Sequence, residues 1–147
     1  MTRNHGILLV DDNKSDVELA RRAFQRAHPT GWIAVARDGE EALDYLFATG
    51  AHTGRDSTIV PEVVLLDLKL PKLDGHQVLR RMRADERTKR IPVVVLSSSA
   101  ERQDVLTSYE LGANSFVRKP VDFTDFLDLA RLLAAYWLVA NEPVDGG

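Results

Sequence analysis

The sequence has no cysteine among its 147 residues, which excludes a disulfide framework, thiol catalysis and cysteine-ligated zinc or iron–sulfur sites. No apolar run approaches the ~20 residues of a membrane-spanning helix, and acidic residues follow the first apolar run too closely for a signal peptide. Neither the G-x-G-x-x-G nor the P-loop pattern of nucleotide-binding proteins occurs. The formal net charge of −3 argues against non-specific binding to nucleic acid or anionic membranes. We therefore expect a cytoplasmic protein with no nucleic-acid or membrane partner.

The bulk composition predicts one folded domain. A chain of 147 residues can bury one sizeable core but is too short for two ordinary domains. Its content of 44% hydrophobic and 28% charged residues is typical of globular proteins. We predict a single domain over 1–147, with its core at about 7–139 and a short C-terminal tail that has no room for another domain.

Short apolar segments alternate with longer amphipathic ones. The predicted strands are residues 7–10, 32–36, 63–66, 91–96 and 115–117. Several are apolar without alternation, as strands buried on both faces are. Apolar residues recur at helical spacing between them, including Leu106 and Tyr109 in the fourth helix. Five strand–helix repeats predict an α/β fold with a doubly wound parallel sheet, and 50–61 reads as a long exposed loop.

Three acidic residues follow predicted strands: Asp11 and Asp12 come after the first strand and Asp67 after the third. In a doubly wound sheet of order 2-1-3-4-5, these strands flank the position where ligands bind. Converging carboxylates repel one another unless they are protonated or bound to a cation, and a set of oxygen ligands favours Mg²⁺. The alternative is that Asp11 and Asp12 cap the first helix, whose cap could also be Asn13 or Ser15, and that Asp67 opens a turn.

Two more polar residues come to the same edge of the sheet. Ser97 ends the fourth strand and Lys119 follows the fifth. A lysine there can place a compact positive charge on a phosphate or a carboxylate. The combination fits phosphoryl transfer onto Asp67, which would form an acyl phosphate. Taken singly, Ser97 could be a turn or cap residue and Lys119 a solvated surface lysine.

These residues resemble the receiver domain of bacterial two-component response regulators, over nearly the whole chain. The matching positions are Asp11, Asp12, Asp67, Pro71, Gly75, Ser97, Lys119 and Pro120. The resemblance implies a flavodoxin-like (βα)5 fold and a histidine kinase that phosphorylates Asp67. It also implies a stand-alone regulator without an output domain, which catalyses only its own phosphorylation and dephosphorylation.

The resemblance also implies roles for single residues. Mg²⁺ would be held by Asp12, Asp67 and the backbone carbonyl of Lys69, with Asp11 assisting through water. The Ser97 hydroxyl would move onto the phosphoryl group and let the ring of Phe116 turn inward, reshaping the surface formed by helix four, strand five and helix five. The Lys119–Pro120 bond would be cis. A tyrosine is common at position 116 and a threonine at position 97, so Phe116 and Ser97 depart from the frequent pattern.

Finer features resemble the stand-alone regulators that pair with bacterial phytochromes: the long loop, the runs KRIPVVVLSSS and SYELGANSF, and the ending YWL. Helix five carries extra apolar residues, Leu129, Leu132 and Tyr136. They indicate either a homodimer through helix four, strand five and helix five, or a terminal helix that buries a wide stripe. The histidines show no metal-ligand spacing, and we expect surface positions for all of them: His5, His28, His52 and His76.

The sequence argues against two rival functions, the first through Lys69 and the second through the intact set of site residues. One is a Mg²⁺-dependent phosphohydrolase with an aspartyl nucleophile, which usually needs a general acid two residues after the nucleophile, where this chain has Lys69. The other is a receiver-like scaffold that binds partners without being phosphorylated.

Overall fold

The computed structural model describes residues 3–144 and contains a five-stranded parallel sheet of order 2-1-3-4-5. The strands are β1 (Gly6–Val10), β2 (Trp32–Ala36), β3 (Val63–Leu66), β4 (Val93–Ser97) and β5 (Ser115–Arg118). The helices are α1 (Lys14–Ala27), α2 (Gly39–Phe47), α3 (Gly75–Arg83), α4 (Arg102–Glu110) and α5 (Phe123–Leu133). The predicted doubly wound topology is confirmed.

Both faces of the sheet are covered, which explains why β1, β3 and β4 are apolar without alternation. The side chains of one face pack on α2 and α3 in a buried cluster that includes Leu8, Val10, Val64, Leu66, Val95, Leu43, Val78, Leu79 and Met82. The side chains of the other face pack on α1 and α5 in a second buried cluster, which includes Ile7, Leu9, Leu65, Val94, Leu96, Val17, Phe24, Phe126 and Leu133. Burial of each large apolar side chain contributes roughly 1.5–3 kcal/mol, so these two clusters hold the strand ends in place.

The fourth and fifth strands differ slightly from their predicted bounds. β4 begins at Val93, not 91, and it extends to Ser97 because that residue pairs with Arg118 of β5. β5 likewise ends one residue later than predicted, at Arg118. The ladder therefore runs up to the polar residues at the carboxyl edge, where Ser97 is held by backbone pairing.

The fourth helix forms as predicted, but its apolar residues do not form a buried face. Ser108 is its one buried residue, whereas Leu106 and Tyr109 are about half exposed. The Ser108 hydroxyl donates to the Asp104 carbonyl and lies 2.9 Å from Nε2 of His76 in α3. α4 is therefore held by polar contacts and few core side chains, which is the condition for a helix that can shift at low cost.

The C-terminal helix is longer than its α-helical part, because Ala134–Ala140 continues it as a π-helical segment. Leu138 of this segment is buried, whereas Leu132 and Tyr136 are exposed by 70% and 53%. Leu129, which the sequence grouped with those two, packs partly against the core. The terminal helix therefore buries one stripe and leaves a second apolar stripe in solvent.

The long segment 50–61 is tied to α2. It starts with a 3-10 turn at Gly50–His52, and Arg55 donates from Nε to the Tyr45 carbonyl at 2.7 Å. The same guanidinium lies 4.2 Å from the centre of the Tyr45 ring. Within residues 3–144, no helix is long and apolar enough to cross a membrane.

Candidate functional site

Asp11 and Asp67 are the first residues beyond two paired strands. Val10 of β1 pairs with Leu66 of β3, and the Asp67 N–H continues the ladder by donating to the Val10 carbonyl at 3.0 Å. Both carboxylates are nearly buried, at 2% and 8% residue exposure. The predicted juxtaposition at the carboxyl edge is confirmed, and it arises because the apolar ladders of the two strands end together.

Lys119 joins these acids in one cluster. Its Nζ donates to Oδ2 of Asp11 at 2.9 Å, to Oδ2 of Asp16 at 2.9 Å and to Oδ2 of Asp67 at 3.1 Å. The ammonium has three N–H groups, so each carboxylate takes one. The Lys119 backbone N–H donates to the Ser97 carbonyl at 2.7 Å, which fixes the lysine to the end of β4.

Asp16 is the member of this cluster that the sequence analysis missed. Asn13 caps α1, and its side chain accepts from the Asp16 N–H at 3.0 Å. Asp16 is therefore the third residue of α1, in the first turn, where its side chain can reach Lys119. Asp16 could have been predicted if Asn13 and not Ser15 had been taken as the cap, because the position of the cap determines which residue of the first turn lies beside Asp11.

Negative charge exceeds positive charge in the cluster, which contains Asp11, Asp12, Asp16 and Asp67 against Lys119. Burial of the Lys119 ammonium opposes its charge, but hydrogen bonds to Asp11 and Asp16 and the field of Asp67 prevail and raise its pKa. Burial raises the pKa of Asp11 despite the opposing contacts with Lys119 and the Asn13 N–H. The ammonium of Lys119 is therefore strongly held in its charged form, whereas burial outweighs the contacts with Lys119 at Asp11.

The donor set fits a divalent hard cation. Asp11, Asp12 and Asp67 each offer a carboxylate oxygen, and these oxygens lie within 4.8 Å of one another. Asp12 is exposed, so the group opens to solvent on one side. All-oxygen ligands beside water are the environment that Mg²⁺ prefers, and no other group of three metal-ligating side chains was found within residues 3–144.

The remaining predicted residues lie around this group. The buried Ser97 accepts at Oγ from the Ser99 N–H at 3.3 Å. Phe116 lies opposite Val95 in the ladder and packs partly against the core. The Lys69 N–H lies 3.4 Å from Oδ1 of Asp67, a long contact. These positions put a hydroxyl and a backbone loop beside the acid cluster, with the half-buried ring of Phe116 further back along β5.

The loop after Asp67 is tightly packed. A Cβ at Gly75 would lie 2.4 Å from the Asp67 carbonyl oxygen, so a larger residue would displace the start of α3 from the acid. Asp74 and Gln77 form a reciprocal capping box that sets where α3 begins. The glycine at position 75 of the sequence pattern thus has a steric basis here.

One expectation is wrong. The Lys119–Pro120 bond is trans, like every peptide bond within residues 3–144; the lysine reaches all three carboxylates with the isomer that X-Pro bonds ordinarily favour. The four histidines, which we expected at the surface, are all partly exposed and partly packed against the protein. His5 contacts His28, while His52 contacts Glu41 at 3.1 Å and His76 contacts Ser108.

Sequence comparison places this arrangement among known proteins. The model of the response regulator receiver domain matches residues 7–131. The probable methanogenesis regulatory protein FilR2 of Methanothrix harundinacea is 44% identical over 135 residues, which cover 92% of this chain and 84% of FilR2. Response regulator Rcp1 of Synechocystis is 35% identical over 132 residues, covering 90% of this chain and 88% of Rcp1.

Solved structures agree with the sequence relatives. The phosphorylated cyanobacterial phytochrome response regulator RcpA superimposes with a TM-score of 0.87 at 34% identity, covering 95% of this chain and 98% of RcpA. The bacteriophytochrome response regulator AtBRR has a TM-score of 0.76 at 47% identity, covering 96% of this chain and all of AtBRR. The fold, the acid cluster and these relatives lead to one conclusion: the chain belongs to the response regulator receiver domain family, the phosphorylated module of two-component signalling.

Proposed function

We propose that Asp67 is the phosphoacceptor. The observation that carries this proposal is the hydrogen bonding of Lys119 to Asp67 and Asp11 at the end of two buried strands. A carboxylate oxygen of Asp67 would form a bond to phosphorus while the P–N bond of a phosphohistidine donor breaks, and the released imidazole takes up a proton. The Lys119 N–H that faces Asp67 then turns to the phosphoryl oxygens, so the negative charge gained stays next to a fixed cation.

Mg²⁺ is the proposed cofactor, held by Asp11, Asp12, Asp67 and the Lys69 carbonyl. When bound, it neutralises charge on the phosphoryl oxygens and carboxylates and helps to align them. The surplus of carboxylates over Lys119 supports this assignment. Asp12 is the ligand most open to water, as Mg²⁺ binding with retained waters requires.

The proposed switch runs from Ser97 to Phe116. Ser97 ends β4 beside Lys119, and Phe116 lies two residues before the β5 residue that pairs with Ser97. Movement of the hydroxyl onto the phosphoryl group would free space that the ring can take. Because α4 is weakly anchored, the surface of α4, β5 and α5 is the part that can change and signal by protein contact. Alternatively, the phosphoryl group can pass onward in a relay.

The proposed donor is a histidine kinase, and specifically a bacterial phytochrome. Similarity to RcpA and AtBRR, which are phytochrome response regulators, supports this choice. Pull-down of the full chain by a candidate phytochrome kinase, followed by transfer of labelled phosphate, tests it. Faster transfer from a kinase of another class would argue against the phytochrome.

A homodimer through α4, β5 and α5 is also proposed. Leu132 of α5 and Tyr136 of its π-helical continuation support it, because both are large and more than half exposed. Sedimentation over a range of concentrations, with and without phosphoryl donor, should show a dimer that the double variant Leu132→Ser, Tyr136→Ser loses. A strict monomer at high concentration in both states would contradict it.

We propose no turnover enzyme. The position that a phosphohydrolase would use for its general acid holds Lys69, which is exposed and cannot donate a proton as a carboxylic acid does. A scaffold that binds partners without being phosphorylated would not require the acid cluster. A cytoplasmic location fits partners of this kind.

Incubation with acetyl phosphate and Mg²⁺, followed by intact mass, tests phosphoacceptance. The expected result is the gain of one phosphoryl group, which Asp67→Asn loses. Asp128→Asn is the matched control, since Asp128 is an exposed aspartate on α5. No gain with any donor would overturn the proposal and leave the scaffold.

A further inference from the structure

Two histidines far apart in sequence meet at the opposite edge of the sheet from Asp67. His5 precedes β1, and His28 is the residue after α1. Nδ1 of His5 lies 3.1 Å from Nε2 of His28, and their ring centres are 4.9 Å apart with the rings inclined by 31°. Neither residue takes part in the acid cluster or in the switch.

The backbone is arranged to bring them together. His5 has a φ of 54°, a left-handed conformation that a residue with a side chain rarely adopts. It is held there by Glu62, whose Oε2 accepts from the N–H groups of Asn4 and His5 at 3.0 and 2.9 Å. Strained residues of this kind persist where surrounding structure fixes them, often at functional sites.

Gly31 removes the obstacle between the two histidines. A Cβ at this position would lie 2.7 Å from the His5 carbonyl oxygen and 3.0 Å from Cδ2 of His28. The absence of a side chain therefore permits the approach of the segment before β1 to the end of α1. The pair depends on three separate features: the His5 conformation, the Glu62 hydrogen bonds and Gly31.

The geometry points to a binding site for one transition-metal ion, with Nδ1 of His5 and Nε2 of His28 as ligands. Nitrogens 3.1 Å apart that both bind a metal at ~2.05 Å subtend about 98° and set the ring centres about 4.8 Å apart. A linear N–H···N hydrogen bond of the same length would set them about 5.4 Å apart. The separation of 4.9 Å is closer to the convergent arrangement; without a metal, the two nitrogens form a bent hydrogen bond.

The ligand atoms select the class of metal. Imidazole nitrogens suit Zn²⁺, Ni²⁺ and Cu²⁺, whereas Mg²⁺ requires oxygen ligands. The histidines line a cavity of about 140 Å³, and none of the described residues in its wall carries a carboxylate. This volume accommodates the waters that would complete the coordination. Arg21 also lines the cavity, so affinity would come from the two nitrogen bonds and not from surrounding negative charge.

The test is calorimetric titration of the full chain with Zn²⁺ in a large excess of Mg²⁺, which competes with Zn²⁺ for the aspartates of the proposed Mg²⁺ site. We expect one Zn²⁺ per chain, and at least tenfold weaker binding in His5→Gln and in His28→Gln. His52→Gln and His76→Gln are the matched controls, because each replaces a half-buried histidine outside the pair, and they should bind within twofold of wild type. No binding, or equal binding by all four variants, would overturn the site.

A second measurement covers the case in which a paired variant does not fold. Trp32 lines the same cavity and is one of two tryptophans in the chain. In Trp137→Phe, Cu²⁺ or Ni²⁺ added with saturating Mg²⁺ should quench most of the Trp32 fluorescence. In Trp32→Phe, Trp137 should be quenched much less at the same metal concentration. Equal quenching of both tryptophans, or none, would contradict the assignment.

Discussion

Each end of the sheet contains a buried acid beside a cation, but the balance between negative and positive charge differs between the two ends. At the amino end, Glu62 accepts from Nε and an NH2 nitrogen of Arg3 at 3.1 and 2.6 Å and from two backbone N–H groups. At the carboxyl end, one ammonium serves Asp11, Asp16 and Asp67. Glu62 is therefore fully satisfied, while the carboxyl-end acids share too little positive charge.

The pKa directions record the same contrast. Burial works against ionisation of Glu62, but the hydrogen bonds from Arg3 and the His5 N–H prevail and lower its pKa. Burial prevails at Asp11 and raises its pKa. A fully paired acid stabilises the fold, whereas a cluster with surplus negative charge fits the cation and the phosphoryl group proposed for it. The comparison separates a structural ion pair from a chemical site, although both are buried.

Removal of Lys119 should have the largest effect on phosphorylation. In Lys119→Ala the rate of phosphorylation by acetyl phosphate should fall by about 10²-fold, because a fixed positive group at the phosphoryl oxygens is lost. The intact-mass time course measures this rate. The midpoint of thermal unfolding in Mg²⁺ should change little in comparison with this loss of phosphorylation rate.

Lys72→Ala is the control for that change, since Lys72 is an exposed lysine whose pairing with Asp38 is a 3.7 Å surface contact. Its rate should match wild type. Normal phosphorylation and signalling by Lys119→Ala would show that its assigned role is wrong.

The next largest effect should fall on stability alone. Glu62→Gln should lower the free energy of unfolding by about 2–3 kcal/mol, because Arg3 keeps its charge but loses its buried partner. Urea unfolding measures the loss, and the phosphorylation rate should stay within twofold of wild type. Glu86→Gln, at an exposed surface pair, should leave the urea midpoint unchanged. A large loss of phosphorylation in folded Glu62→Gln would contradict the claim that the two ends of the sheet have separate roles.

Substitution of Asp16 at the carboxyl end of the sheet should have a smaller effect on the rate of phosphorylation. Asp16→Asn replaces one of the three carboxylates that position Lys119 with a neutral amide, so phosphorylation should slow by roughly three- to tenfold. Asp16→Glu should recover part of the rate, which a merely structural role would not require. The measurement is again the intact-mass time course.

Asp125→Asn is a closely matched control for Asp16→Asn. Asp125 is the third residue of α5, and its N–H binds the capping side chain of Asp122, as the Asp16 N–H binds Asn13. It is exposed and has no ion pair with a lysine or arginine among the described residues. Equal slowing in the two variants would assign the effect to the helix terminus and not to Lys119.

The smallest expected effect is a pH dependence at the amino end. The folded-state pKa of Glu62 is lowered, so its stabilisation is fully present above its unfolded pKa of about 4.5 and is lost as pH falls through the folded value. The difference in unfolding free energy between wild type and Glu62→Gln should therefore shrink below about pH 4.5. Urea unfolding from pH 7 to 3 measures it, and a difference that grows on acidification would contradict the linkage.

Much of the architecture could be predicted because contiguous apolar strands and helical spacing follow directly from burial. The positions of Asp11 and Asp67 followed from the strand ends and the strand order. Asp16 could not be placed without knowing which residue caps α1. The contact of His5 with His28 depends on a left-handed residue and on Gly31, and neither has a local sequence signature.

The helical periodicity was also insufficient for the edges of the fold. Leu106 and Tyr109 have the spacing of a buried face, yet α4 turns Ser108 inward because His76 of α3 offers it a polar partner. The π-helical continuation of α5 was likewise not visible, because an apolar run has similar periodicity in both helix types. Tertiary contacts decided these features.

The most direct test of the central claim is to locate the phosphoryl group itself. Borohydride reduces an acyl phosphate to an alcohol, so treatment of the phosphorylated protein should convert the phosphorylated aspartate to homoserine. Peptide mass spectrometry should then find homoserine at position 67, dependent on Mg²⁺ during phosphorylation. Homoserine at Asp11, Asp12 or Asp16 instead, or at no position in protein that had gained a phosphoryl group, would contradict the assignment of Asp67.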